Sequence, residues 1–205
     1  GKSLSEFKLN TKQGLNIPNS YYDDFFQEKI YLQFLKKTNS IKFDAIGLSF
    51  VQNEKVIKRI KLKYPKKIII SKIENFFGLK NYKKIIDNSD AVMVDRGDLS
   101  AEIGQSKIYN SIIKISQYCK EKGIPLIIAT DNLGTMMENL RPSNNDITSI
   151  NFYNELGVDK IMLSEETAIS KNWKKILQWL NNFLKTINHK TKDKKSFDFA
   201  KQLVA

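Results

Sequence analysis

Five short apolar runs, each followed by a longer amphipathic segment, constrain the fold of this 205-residue chain more than any other feature. Continuous apolar runs of this length are typical of strands buried on both faces, and the longer segments show helical spacing. The predicted strands are 43–50, 67–73, 90–94, 125–130 and 159–164, and the predicted helices are 53–64, 79–87, 107–123, 144–157 and 172–184. Strands that alternate with helices in this way indicate an α/β protein with a parallel sheet.

Local signals support two of the helix boundaries. Ser143 is positioned to cap the helix that follows it, with Asp146 three residues further on. The helices 107–123 and 144–157 both end on a glycine, which is the residue that most easily adopts the left-handed conformation at a helix end.

Composition argues against several classes of partner. The formal net charge is +12, but only three of the 34 basic residues are arginines, whereas recognition of phosphates and base edges favours arginine. We therefore expect solvated lysine faces and no nucleic-acid site. No run approaches the roughly 18 apolar residues of a membrane span, so no membrane partner is expected.

Cysteine usage and the N-terminal sequence bear on location. The single cysteine, Cys119, lies in a predicted helix and is expected to be a buried, unreactive thiol, which fits a reducing compartment. The first residues are polar and do not resemble a signal peptide. A cytoplasmic location follows as an expectation.

Five β/α units could form an open doubly wound sheet or part of a (β/α)₈ barrel. Polar groups follow the carboxyl ends of most predicted strands, where the functional residues of such barrels gather: Lys72 and Glu74, Arg96 to Asp98, Thr130, and Ser164 with Glu166. No glycine-rich phosphate fingerprint follows the first strand. The sequence therefore predicts a partial (β/α)₈ TIM barrel of five β/α units.

The residues at these strand ends suit a divalent cation. Side chains alternate along a strand, so Lys72 and Glu74 project together. Glu74 and Asp98 offer the oxygen ligands that Mg²⁺ or Mn²⁺ prefers, and Lys72 could neutralise a phosphoryl group or an enolate. Thr130 adds a hydroxyl, and Gly97 adds an approachable backbone N–H. The alternative is that Lys72 and Glu74 form a structural ion pair and Asp98 caps a loop.

Four segments carry a resemblance to a known family: "IIISKIEN", "DAVMVDRGDLSAEI", "PLIIATDNLGTMMENLRPS" and "DKIMLSEETA". In order and spacing they resemble the signature segments of pyruvate kinases. The resemblance extends to "KQGLNIPN" and "DAIGLSFV" and covers nearly residues 12 to 170.

The resemblance implies a (β/α)₈ barrel that transfers the phosphoryl group of phosphoenolpyruvate to ADP in glycolysis, giving pyruvate and ATP. By motif, Lys72 would stabilise the phosphoryl group and the enolate oxygen, and Glu74 and Asp98 would hold the divalent metal. Gly97, Asp98 and Thr130 would bind the substrate carboxylate. The residues expected to be catalytic are therefore Lys72 and Thr130.

By the same resemblance, the five predicted strands correspond to the fourth through eighth of the family barrel. Residues 1–16 would be the exit segment of the lid domain, 17–188 the partial barrel and 189–205 a C-terminal tail. Strands one to three would be missing, and with them the phosphate-binding arginine, most nucleotide contacts and the ligands of K⁺, which remains a possible cofactor. ADP or ATP would bind only with the missing half present, so a homo-oligomer, a complementing chain or a longer enzyme is expected.

Three functions remain open from the sequence. The first is a pyruvate-kinase-like phosphotransferase, seen here as a fragment or subunit. The second is a catalytically incomplete relative with a regulatory or binding role. The third is metal-assisted enolate chemistry on pyruvate or oxaloacetate, which needs only Lys72, the metal and Thr130.

Overall fold

The computed structural model describes residues 18, 20–38 and 40–187. Five strands form one parallel sheet in the order β1-β2-β3-β4-β5. They are β1 (Ala45–Leu48), β2 (Ile68–Ile73), β3 (Ala91–Asp95), β4 (Leu126–Ala129) and β5 (Lys160–Met162). Each lies within, or within one residue of, a predicted strand, so the prediction of five parallel strands is confirmed.

The helices of the described region are α1 (Asp24–Lys37), α2 (Glu54–Lys63), α3 (Phe76–Lys80), α4 (Tyr82–Ile86), α5 (Arg96–Ile103), α6 (Ile108–Lys122), α7 (Met136–Asn139), α8 (Asn144–Leu156), α9 (Glu165–Ile169) and α10 (Trp173–Thr186). A short 3₁₀ turn, Gln105–Lys107, precedes α6. The segments 1–17 and 188–205, which include the predicted lid-exit segment and C-terminal tail, lie outside the described residues.

The single helix predicted over 79–87 is wrong. The chain forms two short helices there, α3 and α4, which meet at Asn81. Helix α3 starts at Phe76, before the predicted start at residue 79. The Asn75 side chain caps this helix by accepting a hydrogen bond from the Gly78 N–H. Asn81 leaves the helical conformation, and its side chain donates to the Gln52 carbonyl.

The predicted caps of α6 and α8 are present. Ser143 and Asp146 form a reciprocal capping box at the start of α8. Gly123 and Gly157 end α6 and α8 in the left-handed conformation, with φ of 66° and 75°. Because these signals are local, they could be read from the sequence alone.

Strands that follow one another in spatial order require every right-handed crossover to lie on the same face of the sheet. The larger apolar core fits this arrangement, since it joins alternate strand residues such as Leu48, Ile73 and Val94 to helix residues such as Ile57 and Ile115. A smaller cluster consists of strand residues only: Met93, Ile127 and Ala129, with Ile70 packed against them.

We call the second face of the sheet, with Ile70, Lys72, Met93, Ile127 and Ala129, the inner face. A sheet in sequential order with helices on one side is a segment of a (β/α) barrel, as predicted. None of the described helices has the length and apolar character that crossing a bilayer requires.

Candidate active site

The end of β2 carries the first two site residues. Ile73 points into the helix-covered core, whereas Lys72 lies on the inner face. Lys72 Nζ forms a salt bridge with Glu74, whose side chain is fully buried, and lies 3.5 Å from Asp95 Oδ2. The second Glu74 oxygen, Oε2, accepts a hydrogen bond of 2.6 Å from the Phe50 N–H after β1.

Lys72 stays charged in this setting. Burial by itself would lower the pKa of the ammonium group, but the carboxylates of Glu74 and Asp95 outweigh it and raise the pKa. The site therefore places a positive charge next to its acidic groups.

The end of β3 brings two more carboxylates to the same place. Asp95 is the last residue of β3 and is buried, and Asp98 lies in the first turn of α5. Each of these carboxylates and that of Glu74 offers one oxygen atom, and the three oxygen atoms of Glu74, Asp95 and Asp98 lie within 4.8 Å of one another. Burial raises the pKa of Asp98, and the nearby Asp95 raises it further. The three groups repel one another and favour a cation between them.

Thr130, directly after β4, has a conformation that is rare for its residue type. Its φ is +63°, in the left-handed region that β-branched residues avoid. The Gly97 N–H donates to Thr130 Oγ1 at 2.8 Å, and Oγ1 lies 3.0 Å from Asp95 Oδ1, to which it donates. Arg96 donates to the Thr130 carbonyl. Three consecutive residues, 95 to 97, therefore hold this strained residue.

Arg96 connects Thr130 to the rest of the loop. Its guanidinium group also donates to Asn132 Oδ1 at 3.1 Å and lies over the ring of Tyr153, 5.4 Å from the centroid. Asn132 in turn donates to the Met162 carbonyl of β5. Arg96 is thus a structural link between the ends of β3, β4 and β5.

The structure brings Lys72, Glu74, Asp98, Gly97 and Thr130 to the same end of three neighbouring strands. One expected contact is already occupied, because the Gly97 N–H donates to Thr130 instead of pointing at open space. The ion pair between Lys72 and Glu74 that the structural alternative predicts is present, whereas Asp98 lies in the first turn of α5.

Asp95 was missed at the sequence level, because the predicted strand 90–94 ended one residue before it and the register between strands is not visible along the chain. Lys72 pairs with Met93, and Ile73 pairs with Val94. Asp95 follows Val94, so it shares the face of Met93 and lies beside Glu74. Strand alternation combined with the register would have placed this carboxylate in the cluster.

The donor set fits a hard divalent cation. Carboxylate oxygens are the ligands that Mg²⁺ and Mn²⁺ prefer, and Mg²⁺ usually binds one or two of them and keeps its other positions for water and substrate. Glu74, Asp95 and Asp98 offer three such groups on adjacent elements.

Comparison with known proteins identifies the family. The family model described as the pyruvate kinase barrel domain matches residues 2–174. The chain belongs to the pyruvate kinase family. It is similar to pyruvate kinase of Hypocrea jecorina, with 36% identity over 167 residues, which cover 78% of this chain and 30% of that protein.

Other members of the pyruvate kinase family match at comparable identity. Pyruvate kinase of Methanocaldococcus jannaschii is 35% identical over 182 residues, covering 87% of this chain and 41% of that protein. Pyruvate kinase 1 of Trypanosoma brucei brucei is 30% identical over 200 residues, covering 96% and 40%. The chain therefore spans less than half the length of these relatives.

Proposed function

We propose that the chain supplies the cation- and enolate-binding side of a pyruvate-kinase-type active site. The reaction is transfer of the phosphoryl group of phosphoenolpyruvate to ADP, which gives pyruvate and ATP. The observation that supports this proposal is the convergence of Lys72, three carboxylates and Thr130 at one end of β2, β3 and β4. The reaction itself is inferred from membership of the pyruvate kinase family.

Glu74 and Asp98 are the proposed ligands of Mg²⁺ or Mn²⁺. When bound, such a cation neutralises charge on the substrate oxygens and on the developing enolate. The nearby Lys72 ammonium group is proposed to stabilise the phosphoryl group in transfer and the negative charge on the enolate oxygen.

The substrate carboxylate is proposed to bind where Gly97, Asp98 and Thr130 meet. Helix α5 begins at Arg96, beside this region, and the positive end of a helix favours an anion. In the structure the Gly97 N–H is engaged by Thr130, so Thr130 would have to share that donor with the substrate.

The remaining elements of the reaction are proposals at the level of the whole enzyme. Nucleotide binding, a role for K⁺ and assembly into a homo-oligomer or with a complementing chain follow from the family and not from contacts of the described residues. A cytoplasmic location fits the buried, unpaired thiol of Cys119.

The test is turnover of phosphoenolpyruvate and ADP by the full chain in the presence of Mg²⁺, alone and together with a chain that supplies the missing barrel half, with Lys72→Met as the key variant. Methionine keeps the length and packing of the side chain but removes its charge. We expect activity to fall by roughly a hundredfold to a thousandfold or more, as when a group that stabilises transition-state charge is lost. Lys80→Met, on the exposed surface of α3, is the matched control.

The outcomes separate the three functions. Turnover that survives in Lys72→Met would contradict the proposed role of this residue. Mg²⁺-dependent exchange of pyruvate methyl protons without phosphoryl transfer would instead favour enolate chemistry on pyruvate or oxaloacetate. Absence of both activities, also when a chain that supplies the missing barrel half is present, would favour a regulatory or binding role.

A further inference from the structure

We propose that Asp95 is a third carboxylate of the cation site, held in its orientation by Thr130. The proposal deepens the proposed function, because it assigns a role at the same site to a residue that the resemblance did not single out. It rests on the position of Asp95 between Lys72, Glu74 and Thr130.

The first argument is the direction of the Asp95 side chain. Asp95 is only 6% exposed and follows Val94 on the strand between β2 and β4. Its Oδ1 accepts the hydrogen bond from the Thr130 hydroxyl at 3.0 Å. Its Oδ2 lies on the Lys72 side, 3.5 Å from Nζ. The carboxylate therefore has one oxygen fixed by Thr130 and the other directed toward the cluster.

The second argument concerns charge. Glu74, Asp95 and Asp98 with the Lys72 ammonium group carry a formal net charge of −2. One divalent cation neutralises this charge. With an uncharged side chain at position 95, the remaining three groups would carry −1, and the cation would leave an excess positive charge. The carboxylate at position 95 therefore makes this site more attractive to a divalent cation than an uncharged side chain of the same shape would.

The third argument is the strain at Thr130. A threonine at φ +63° persists only where its surroundings hold it, and two of its contacts are made by the side chain of Asp95 and the N–H of Gly97. The Thr130 hydroxyl has one hydrogen, and we assign it to Asp95 and not to the Ala129 carbonyl at 2.7 Å, because a charged carboxylate is the stronger acceptor. Giving it to Asp95 fixes the carboxylate for ligation.

The experiment is a titration of the full chain with MnCl₂, in which free Mn²⁺ is followed by electron paramagnetic resonance. Asp95→Asn is the decisive variant, because its amide oxygen can still accept the Thr130 hydroxyl while its charge is gone. We expect it to bind Mn²⁺ about tenfold or more weakly than the unaltered chain. Asp44→Asn, exposed at the opposite end of the sheet, should leave Mn²⁺ affinity unchanged.

Two further variants keep this proposal separate from the proposed function. If Glu74→Gln and Asp98→Asn weaken Mn²⁺ binding but Asp95→Asn does not, the inference about Asp95 is overturned and the cation site stands. If none of the three changes Mn²⁺ affinity, the cation site itself is wrong. Asp95→Ala, which also loses the bond to Thr130, serves if Asp95→Asn does not fold, and unchanged affinity in it would equally overturn the inference.

Discussion

At the scale of single residues, the site contains residues in energetically unfavourable environments or conformations, and their neighbours stabilise them there. Lys72 is paired with a fully buried Glu74, and Thr130 has a left-handed backbone conformation. Strained residues that are held by several contacts cluster at functional sites, because the surrounding structure must compensate for them. The segment from Asp95 to Gly97 provides that compensation here.

Thr130→Val tests this arrangement. Valine matches the shape of threonine but leaves the Gly97 N–H and the Asp95 carboxylate without the hydroxyl. We expect a loss of about 1–3 kcal/mol in the free energy of unfolding, as for a buried hydrogen-bonding group left without its partner. Urea denaturation measures it. Thr130→Ser keeps the hydroxyl and should lose less, so equal losses in both variants would contradict the role of the hydroxyl.

At the scale of secondary-structure elements, the ends of helices set the position of the loop that carries Thr130. Helix α8 begins with the capping box of Ser143 and Asp146. Asp146 also accepts hydrogen bonds from Thr135 and from the N–H of Leu133, so it ties the start of α8 to the β4–α8 loop. The capping box therefore fixes both the helix and the loop that leads into it.

The pH dependence of stability should report on Asp146. Partial burial acts to raise the pKa of this carboxyl group, but the hydrogen bonds from Thr135, Ser143 and Leu133 outweigh it and lower the pKa below its usual value. A lowered folded-state pKa contributes stability that is full above the unfolded pKa, about 3.9, and is lost as the pH falls through the folded value.

Asp146→Asn should therefore melt at a lower temperature than the unaltered chain near neutral pH, and the difference should shrink below about pH 4. Thermal unfolding followed by circular dichroism across this range measures it, with the exposed Asp44→Asn as the control. A difference in melting temperature that stays constant with pH would show that ionisation of Asp146 contributes nothing.

At the scale of the whole molecule, two features define the sheet: its helices pack on one face, and the site lies at the carboxyl ends of its central strands. Among the described residues, β1 and β5 each pair with one strand only. The larger core includes residues of β1, β2, β3 and β4. A substitution that removes core contacts in a central strand should therefore destabilise the whole sheet.

Ile128→Ala tests how much this core contributes to the stability of the protein. Ile128 is fully buried in β4 within the larger cluster. Removing three methylene-sized groups there should cost about 2–5 kcal/mol in the free energy of unfolding. Leu62→Ala, at a side chain that is 81% exposed, should change stability by only about 0.5 kcal/mol or less. Similar losses in the two variants would contradict the assignment of the core.

The sequence by itself determined the five strands, most of the longer helices, the caps of α6 and α8 and the end of the sheet where polar groups gather. These features depend on the period of apolar residues and on residues a few positions apart, and both are visible along the chain. Only the tertiary structure decided that Asp95 joins the cluster, that Gly97 donates to Thr130, and that residues 79–87 form parts of two helices. Each of these outcomes depends on contacts between residues distant in sequence, such as Asp95 with Thr130 and Asn81 with Gln52, which arise only once the strands are in register.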